Sequence, residues 1–289
     1  MSKQRILFII NPISGAGKNL KLPPVIKSVL NPNQFEIEIA FTEFKGHGKE
    51  LAKKANSLFD IVCAVGGDGS IHEVGTQLIN SNCKLAILPT GSGNGIARHL
   101  GIPLNVNKAL ALINRQNSQK IDIGKINNHH FIGVAGVGFD AFIAKKFDSY
   151  HKRGFWSYVK LVVSTFQNFK PIPIKWGTNK EEQGDYFMCC LLNSGQFGSG
   201  FKLSPKASMT DGKLTLLLIK KPSLLAGLPL VLRAYFGDLR KSSYSTAIEI
   251  EDRTLQTTEE LFHLDGEPIE IGGQTLYVSV INNGLEVIY

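Results

Sequence analysis

A single carboxylate stands among glycines in the sequence Val65-Gly66-Gly67-Asp68-Gly69-Ser70. The apolar residues 60–65 before it are typical of a buried strand, and residues 71–79 after it are typical of a helix. Glycine lets the backbone approach a ligand closely, and the free N–H groups at a helix N-terminus suit phosphate. Because a carboxylate repels phosphate, Asp68 indicates a bridging metal ion or a group that handles a proton.

Two further glycine loops also follow apolar, strand-like runs. Residues 11–17 come after residues 6–10, and residues 91–95 come after residues 85–88. Loops that follow parallel strands gather at the carboxyl edge of a sheet, which is where ligands bind in such folds. We therefore expect the loops to form a cleft that binds phosphate or a nucleotide.

Several classes of site are excluded by the same sequence. A Walker A loop is excluded because Pro12 and Asn19 stand where that motif needs Gly and Ser or Thr, and the first loop has no GxGxxG dinucleotide fingerprint. No RNP-like or zinc pattern indicates a nucleic-acid-binding protein.

The four cysteines show no CxxC spacing and lie in apolar segments, which indicates buried thiols in a reducing compartment. The apolar residues 6–10 are too short a run for a signal peptide.

The composition indicates a folded chain with a basic surface. Of 289 residues, 43% are hydrophobic and 19% are charged, with a formal net charge of +8 and a pI near 9.2. This length allows one large domain or two ordinary ones. The charge fits nucleic acid, an anionic membrane surface or a phosphorylated small molecule as partner, and it equally fits a generally basic surface.

The order of the sequence patterns predicts an α/β domain followed by an all-β domain. In residues 1–120 strand-like runs alternate with helix-length segments, which predicts a doubly wound parallel sheet, with Asn105 as the cap of its last helix. In residues 121–289 short strand-like pieces are joined by turns, which predicts an antiparallel β-sandwich. Two segments within this domain, residues 155–169 and 224–236, have helical patterns. The glycines Gly133, Gly136 and Gly138 are predicted to lie at strand bulges or at sites of close packing.

Five groups of motif residues occur in a characteristic order over nearly the whole chain. They are Asn11-Pro12 with Ser14-Gly15-Ala16-Gly17; Gly66-Gly67-Asp68-Gly69-Ser70; Leu88-Pro89-Thr90-Gly91-Ser92-Gly93-Asn94; Pro205-Lys206-Ala207 with Asp211-Gly212-Lys213-Leu214; and Leu264-Asp265-Gly266-Glu267. This combination resembles the diacylglycerol kinase catalytic-domain superfamily of bacterial soluble lipid kinases and diacylglycerol, sphingosine and ceramide kinases. The resemblance implies a nucleotide-binding α/β domain, a β-sandwich for the lipid substrate and an active site in the cleft between them. It also implies Mg²⁺-dependent transfer of the ATP γ-phosphoryl group to a lipid hydroxyl.

The resemblance further implies roles for individual residues. Two carboxylates compete for the general base, because Glu267 matches that residue in similar bacterial lipid kinases, whereas in sphingosine kinases the aspartate at Asp68 has that role. Asp68 would alternatively hold catalytic Mg²⁺. The nucleotide and its phosphates would be held by Asn11, Thr42, Gly66, Gly67, Asp68, Gly69, Ser70, Gly91, Ser92 and Asn94.

A second, structural Mg²⁺ site is implied in the β domain. Its ligands would be the Asp211 carboxylate and the backbone carbonyls of Ser208 and Lys213. The competing interpretation is that Asp211-Gly212 is only a hairpin turn.

Other residues allow both structural and functional interpretations. His72-Glu73 lies in the first turn of a helix, so complementing the helix dipole competes with contacting the substrate. Arg98-His99 either reaches phosphate or faces solvent. The basic and aromatic residues 145–156 indicate docking on an anionic membrane or, equally, a helix packed over the sandwich.

The predicted partner is a lipid substrate at a membrane surface. We expect a cytoplasmic protein with peripheral membrane contact and no nucleic-acid partner, and a homodimer stays open. The acceptor stays open between diacylglycerol and a sphingoid-type lipid, because residues 91–97 resemble the sphingosine and ceramide kinase version. Two alternatives remain: an NAD kinase, which would carry an Asn-Glu pair in its second loop, and a non-catalytic regulator that binds nucleotide or lipid. The presence of both Asp68 and Glu267 disfavours the regulator.

Overall fold

The chain forms two compact units. The computed structural model describes residues 3–148, 155–179, 182–196, 201–223, 226, 232–233 and 238–289. The first unit comprises Met1–Ile123 and Asn282–Tyr289, and the second comprises Gly124–Ile281. No helix in the described part of the chain is long and apolar enough to span a bilayer.

The placement of residues 282–289 corrects the sequence interpretation, which assigned everything after residue 120 to the second domain. These residues belong to the first unit. Leu285 and Val287 are buried, and Val287 pairs in parallel with Leu85. The last stretch of chain therefore adds a strand to the first sheet, and a pattern of short strands does not reveal which sheet a strand joins.

The first unit has the predicted alternation of strands and helices. Its elements are β1 (Gln4–Ile10), a 3₁₀ helix (Ser14–Lys21), α1 (Leu22–Val29), β2 (Phe35–Phe41), α2 (His47–Ala55), β3 (Ile61–Gly66), α3 (Asp68–Gly75), β4 (Lys84–Pro89), α4 (Gly95–His99) and α5 (Val106–Arg115). The strands lie in the order β2-β1-β3-β4, and all three pairings are parallel.

Burial explains why this sheet is parallel and central. Every residue of β3 is buried, and β1 and β4 are nearly so, as expected of strands covered on both faces. On the edge strand β2, by contrast, most residues are partly or fully exposed. The predicted cap of α5 is confirmed, since the Asn105 side chain accepts the N–H of Lys108 at 3.1 Å.

The second unit is built from antiparallel strands, as predicted. The elements that follow α5 are β5 (Ser118–Ile126), β6 (His129–Phe131), β7 (Val134–Gly138), α6 (Phe139–Asp148), α7 (Phe155–Phe166), β8 (Ile172–Lys175), β9 (Gln183–Tyr186), β10 (Met188–Leu192), β11 (Leu214–Ile219), a 3₁₀ helix (Leu239–Lys241), β12 (Ser245–Ile250), β13 (Arg253–Gln256), β14 (Leu261–Leu264), β15 (Glu267–Glu270) and β16 (Thr275–Ile288). One group of paired strands has the order β12-β11-β10-β7-β14-β15, and a second has the order β16-β13-β8-β9.

Apolar side chains from both sets of strands form the core of the second unit. Phe131, Trp176 and Phe262 are among its buried members. Gly138 confirms the predicted close-packing role, because a Cβ there would lie 2.7 Å from the Phe187 carbonyl oxygen and the glycine has φ +107°. The predicted helix over residues 224–236 lies largely outside the described residues, as does part of the basic segment 145–156.

Candidate functional site

The three glycine loops meet at the carboxyl ends of β1, β3 and β4, as the sequence predicted. The loop after β1 is joined to β3 by a hydrogen bond of 3.0 Å from the Asn11 N–H to the Val65 carbonyl. The loop after β4 is joined to β3 by one of 2.8 Å from the Thr90 N–H to the Gly66 carbonyl. Backbone pairing thus continues past the strand ends and holds the loops side by side.

Two of these loops touch through glycine backbones. A Cβ added to Gly91 would overlap the Cα of Gly67, and one added to Gly66 would overlap the Ser70 side chain. A side chain is therefore excluded at Gly66 and Gly91, and at Gly67 a Cβ would lie a tight 3.3 Å from the Cα of Gly91. The start of α3 is thus bordered by bare glycine backbone, as in phosphate-binding loops.

Asp68 is half-buried and forms part of this framework. Its two carboxylate oxygens accept the N–H groups of Gly95 at 3.0 Å and Ile96 at 3.1 Å, at the start of α4. A carboxylate oxygen has two lone pairs and can accept more than one hydrogen bond or metal contact. The structure therefore gives Asp68 a capping role that the sequence did not predict, beside the magnesium and base roles that stay predictions.

Asn94 carries an acceptor without a donor inside the site. Its backbone is left-handed with φ 51°, and its Nδ2 donates to the Gly91 carbonyl at 2.7 Å. Its side chain is 4% exposed, and Oδ1 has no hydrogen-bond partner among the described residues. A buried acceptor without a donor is costly, so this atom fits a hydroxyl or a metal-bound water of a ligand.

Asn19 links the first and third loops and was missed by the sequence reasoning. It is 1% exposed, and its Nδ2 donates to the Asn11 carbonyl at 2.8 Å and to Thr90 Oγ1 at 2.9 Å. The segment predicted as a loop through residue 17 becomes a 3₁₀ helix from Ser14 that carries Asn19 inward. An asparagine in a basic, glycine-containing segment gives no local sign of burial.

The other predicted nucleotide-binding residues lie around the same strand ends. Thr42 is half-buried directly after β2, and its N–H donates to the Ile10 carbonyl at 2.9 Å. Ser70 Oγ is within 3.4 Å of Asn11 Nδ2. Ser92 is exposed on the third loop. The structure thus brings the predicted set together in one unit.

Three ionisable residues near the glycine loops are held by backbone hydrogen bonds or by burial. Glu73 lies in the last turn of α3 and not in the predicted first turn, so it does not complement the dipole at the start of its own helix. Its role is structural in another way, because it accepts the N–H groups of Gly46 and Gly48, near the start of α2, at 2.9 and 3.1 Å. Arg98 Nε donates to the Gly93 carbonyl at 3.1 Å and so braces the third loop. Burial lowers the pKa of His99, which favours a neutral imidazole and disfavours this side chain as a counter-charge for phosphate.

Glu267 follows a tight turn in the second unit. Asp265 and Gly266 connect β14 to β15 with φ values of 52° and 91°, as in a two-residue type I′ hairpin. The Asp265 carboxylate accepts the N–H groups of three consecutive residues, 132–134, at 2.6 to 3.0 Å. Glu267 is half-buried at the start of β15.

The predicted structural magnesium residues lie in the loop before β11. Asp211 is exposed, its Oδ1 accepts the Lys213 N–H at 3.1 Å, and Gly212 has φ 73°. The turn leads into β11 from a long loop, so it is not a two-residue hairpin. A carboxylate and two backbone carbonyls would form an all-oxygen set that suits Mg²⁺, and this second metal site stays a prediction. No cluster of three or more His, Cys, Asp or Glu side chains suited to a metal occurs among the described residues.

Comparison with known proteins covers the whole chain. A family model described as "Diacylglycerol kinase catalytic domain" matches residues 5–126, and one described as "YegS C-terminal NAD kinase beta sandwich-like domain" matches residues 133–289. The Citrobacter koseri protein named "Probable lipid kinase YegS-like" is 31% identical over 297 residues, covering 96% of this chain and 94% of that protein. The Bacillus subtilis protein named "Diacylglycerol kinase" is 26% identical over 275 residues, covering 92% of this chain and 90% of that protein. The crystal structure of a diacylglycerol kinase from Bacillus anthracis str. Sterne has a TM-score of 0.73 at 20% identity, covering 100% and 98%, which shows a shared fold.

Proposed function

This chain belongs to the diacylglycerol kinase catalytic-domain superfamily, and on that premise we propose that it is a lipid kinase that transfers the γ-phosphoryl group of ATP to a lipid hydroxyl. In this reaction the lipid oxygen forms a bond to the γ-phosphorus, and the bond between that phosphorus and the β,γ-bridging oxygen breaks. ADP leaves, and the hydroxyl proton passes to a carboxylate. The protein must therefore hold phosphates, orient the acceptor and accept one proton.

The close approach of Gly67 and Gly91 is the observation that carries the phosphate site. Because the third loop cannot carry a side chain at Gly91, no side chain from that position covers the start of α3, whose backbone N–H groups would bind the phosphate oxygens. The unpaired Oδ1 of Asn94 lies in the same place. An apolar or purely structural turn needs neither feature.

The proposal assigns different work to the two carboxylates. Asp68 holds the start of α4 and thereby the third loop, and Glu267 accepts the proton of the lipid hydroxyl. Asp68, and Asp211 with the carbonyls of Ser208 and Lys213, are the residues that would hold Mg²⁺. When bound at a phosphoryl group, this ion neutralises its negative charge.

Diacylglycerol is the acceptor that we propose first, with a sphingoid-type lipid second. The Bacillus subtilis relative named as a diacylglycerol kinase favours the first, and residues 91–97 favour the second. The net charge of +8 supports contact with an anionic bilayer, where either acceptor would reside.

The test is phosphorylation of a panel of acceptors with ATP and Mg²⁺. Vesicles would contain diacylglycerol, monoacylglycerol, ceramide or a sphingoid base, and NAD would be offered in solution. We expect phosphate on a lipid, and a loss of about 100-fold or more in kcat for Glu267→Gln. Phosphate on NAD alone would contradict the lipid assignment in favour of the NAD kinase alternative. Tight ATP binding without turnover on any acceptor would favour a regulator.

A further inference from the structure

A buried polar cluster lies behind the turn that carries Glu267. His263 in β14 is fully buried, and Asp140 in the first turn of α6 is 4% exposed. Their side chains meet with 3.1 Å between His263 Nε2 and Asp140 Oδ2. Burying ionisable groups is costly, and none of the nucleotide-binding loops uses this pair.

The histidine connects α6 to the turn. The N–H of Gly266 donates to His263 Nδ1 at 3.3 Å, which requires that Nδ1 carry no proton. The ring proton is therefore on Nε2, where it is donated to Asp140. A chain of hydrogen bonds thus runs from the carboxylate through the imidazole to the backbone of the residue directly before Glu267.

The surrounding strands are built to accommodate this chain. Gly136 in β7 pairs with His263 on one side and with Cys190 on the other. A Cβ at Gly136 would overlap the Asp140 carboxylate and lie 2.7 Å from His263 Nε2, so the pair occupies space that only a glycine leaves. The Cys190 thiol donates to Asp140 Oδ2 at 3.2 Å, and the Ala141 N–H donates to Oδ1 at 2.9 Å.

We propose that Asp140 and His263 are positioning residues that fix the Glu267 carboxylate through Gly266. The proposal rests on the proposed function, in which Glu267 accepts the proton of the lipid hydroxyl. Since φ is positive at both Asp265 and Gly266, the turn has few alternative conformations once its N–H groups are engaged. Displacing a reacting group by about 1 Å can cost about 100-fold in rate, so this backbone contact acts on kcat.

Two variants of His263 separate its two hydrogen bonds. In His263→Gln the amide reaches the position of Nε2 and keeps a donor for Asp140, but no acceptor remains for Gly266. In His263→Asn the amide oxygen takes the position of Nδ1 and accepts the Gly266 N–H, but Asp140 is not reached. We expect His263→Gln to lower kcat about tenfold or more with the KM for ATP nearly unchanged, and His263→Asn to stay closer to wild type.

Cys190→Ala is the matched control, because it removes another donor to the same oxygen of Asp140 without touching the turn. It should lower the thermal midpoint and leave kcat unchanged. Hydrogen exchange over residues 264–267 should accelerate in His263→Gln and not in Cys190→Ala. If His263→Gln folds poorly, Asp140→Asn replaces it: an amide N–H facing Nε2 would move the ring proton to Nδ1, and a protonated Nδ1 cannot accept the Gly266 N–H.

A double-mutant cycle with Glu267→Gln decides the role. If the pair acts through Glu267, the factor caused by His263→Gln disappears in the Glu267→Gln background. The proposal would be overturned if His263→Gln lowered kcat by the same factor in the Glu267→Gln background as in the wild type. It would also be overturned if His263→Gln and Cys190→Ala lost kcat equally, or if His263→Gln left hydrogen exchange over residues 264–267 unchanged. If Glu267→Gln alone keeps wild-type turnover, the base assignment under the proposed function fails, whereas the exchange measurement still decides whether the pair holds the turn.

Discussion

The turns that carry Asp68 and Glu267 are built in opposite ways. At the first, the carboxylate is itself part of the framework, since Asp68 accepts two backbone N–H groups at the start of α4. At the second, neighbours build the framework: Asp265 accepts three backbone N–H groups and His263 a fourth. In the first turn, the candidate site carboxylate is also the group that accepts the backbone hydrogen bonds. In the second turn, these two tasks belong to different residues.

This difference teaches which carboxylate can be changed without changing the structure around it. Replacing Asp68 disturbs the contact between the second and third glycine loops, whatever its chemical role. Replacing Glu267 leaves the acceptors of its turn in place. Within the proposed mechanism, the comparison favours Asp68 as the residue that shapes the phosphate site and Glu267 as the base.

The largest effect is expected from Gly91→Ala, which damages the first turn without touching either carboxylate. The new Cβ would overlap the Cα of Gly67, and a backbone neighbour cannot rotate away. We expect kcat/KM for ATP to fall about 100-fold or more, measured by steady-state kinetics with calorimetric ATP binding. Gly272→Ala is the control, because nothing lies within 4 Å of that Cβ. Near-normal ATP binding by Gly91→Ala would show that the loops are not the phosphate site.

Asp265→Ala tests the separate anchor of the second turn. Three backbone N–H groups would lose their acceptor, so the free energy of unfolding should fall by about 2–4 kcal/mol in chemical denaturation. Asp265→Asn should lose less, since an amide oxygen still accepts and asparagine tolerates the positive φ. A loss of less than about 0.5 kcal/mol for Asp265→Ala would mean that the carboxylate contacts contribute little.

A direct comparison of Asp68→Asn with Glu267→Gln comes next in size. Both should lower kcat, but only Asp68→Asn should destabilise the fold, by about 1 kcal/mol, because it weakens the cap of α4. Glu267→Gln should change the free energy of unfolding by less than about 0.5 kcal/mol. A reversed order of stability would contradict the contrast between the two turns.

The smallest effect concerns how the stability of the first unit depends on pH. This dependence must be known before the pH profiles of variants in the two turns are compared. Hydrogen bonds from Ser118 and then Lys84 lower the pKa of Glu286 below its usual value. A lowered folded-state pKa gives stability that is present above the unfolded value, about 4.3, and is lost as pH falls through the folded value. As pH falls through this range, we expect the free energy of unfolding of the wild type to decrease by about 0.5 kcal/mol. The Glu286→Gln variant should not show this decrease when its unfolding is measured at the same pH values. Parallel curves for both proteins would refute it.

Local chemistry made much of the first unit predictable from sequence. Apolar runs followed by glycine loops predicted both the strands and the edge where the loops meet, and Asn105 predicted the start of α5. In each case neighbouring residues determine the backbone conformation, so a short window of sequence suffices.

Contacts between distant segments were not predictable in this way. Asp140 and His263 are 123 residues apart in sequence, and either one alone is compatible with an exposed position. Asn19 gave no sign of burial for the same reason. The strands β8, β9 and β13 were missed because four residues are too few to establish an alternating pattern.

The last part of β16, residues 282–288, has a consequence for the synthesis of the protein. This segment, which pairs with β4, is translated after the glycine loops and after the whole second unit. Until then β4 presents an open edge, which is a template for wrong pairing. Folding unit by unit from the N-terminus, the usual order for multidomain chains, is therefore unavailable here. A nascent or truncated chain that ends before this strand would bear every nucleotide-binding residue and still lack the finished sheet that holds them.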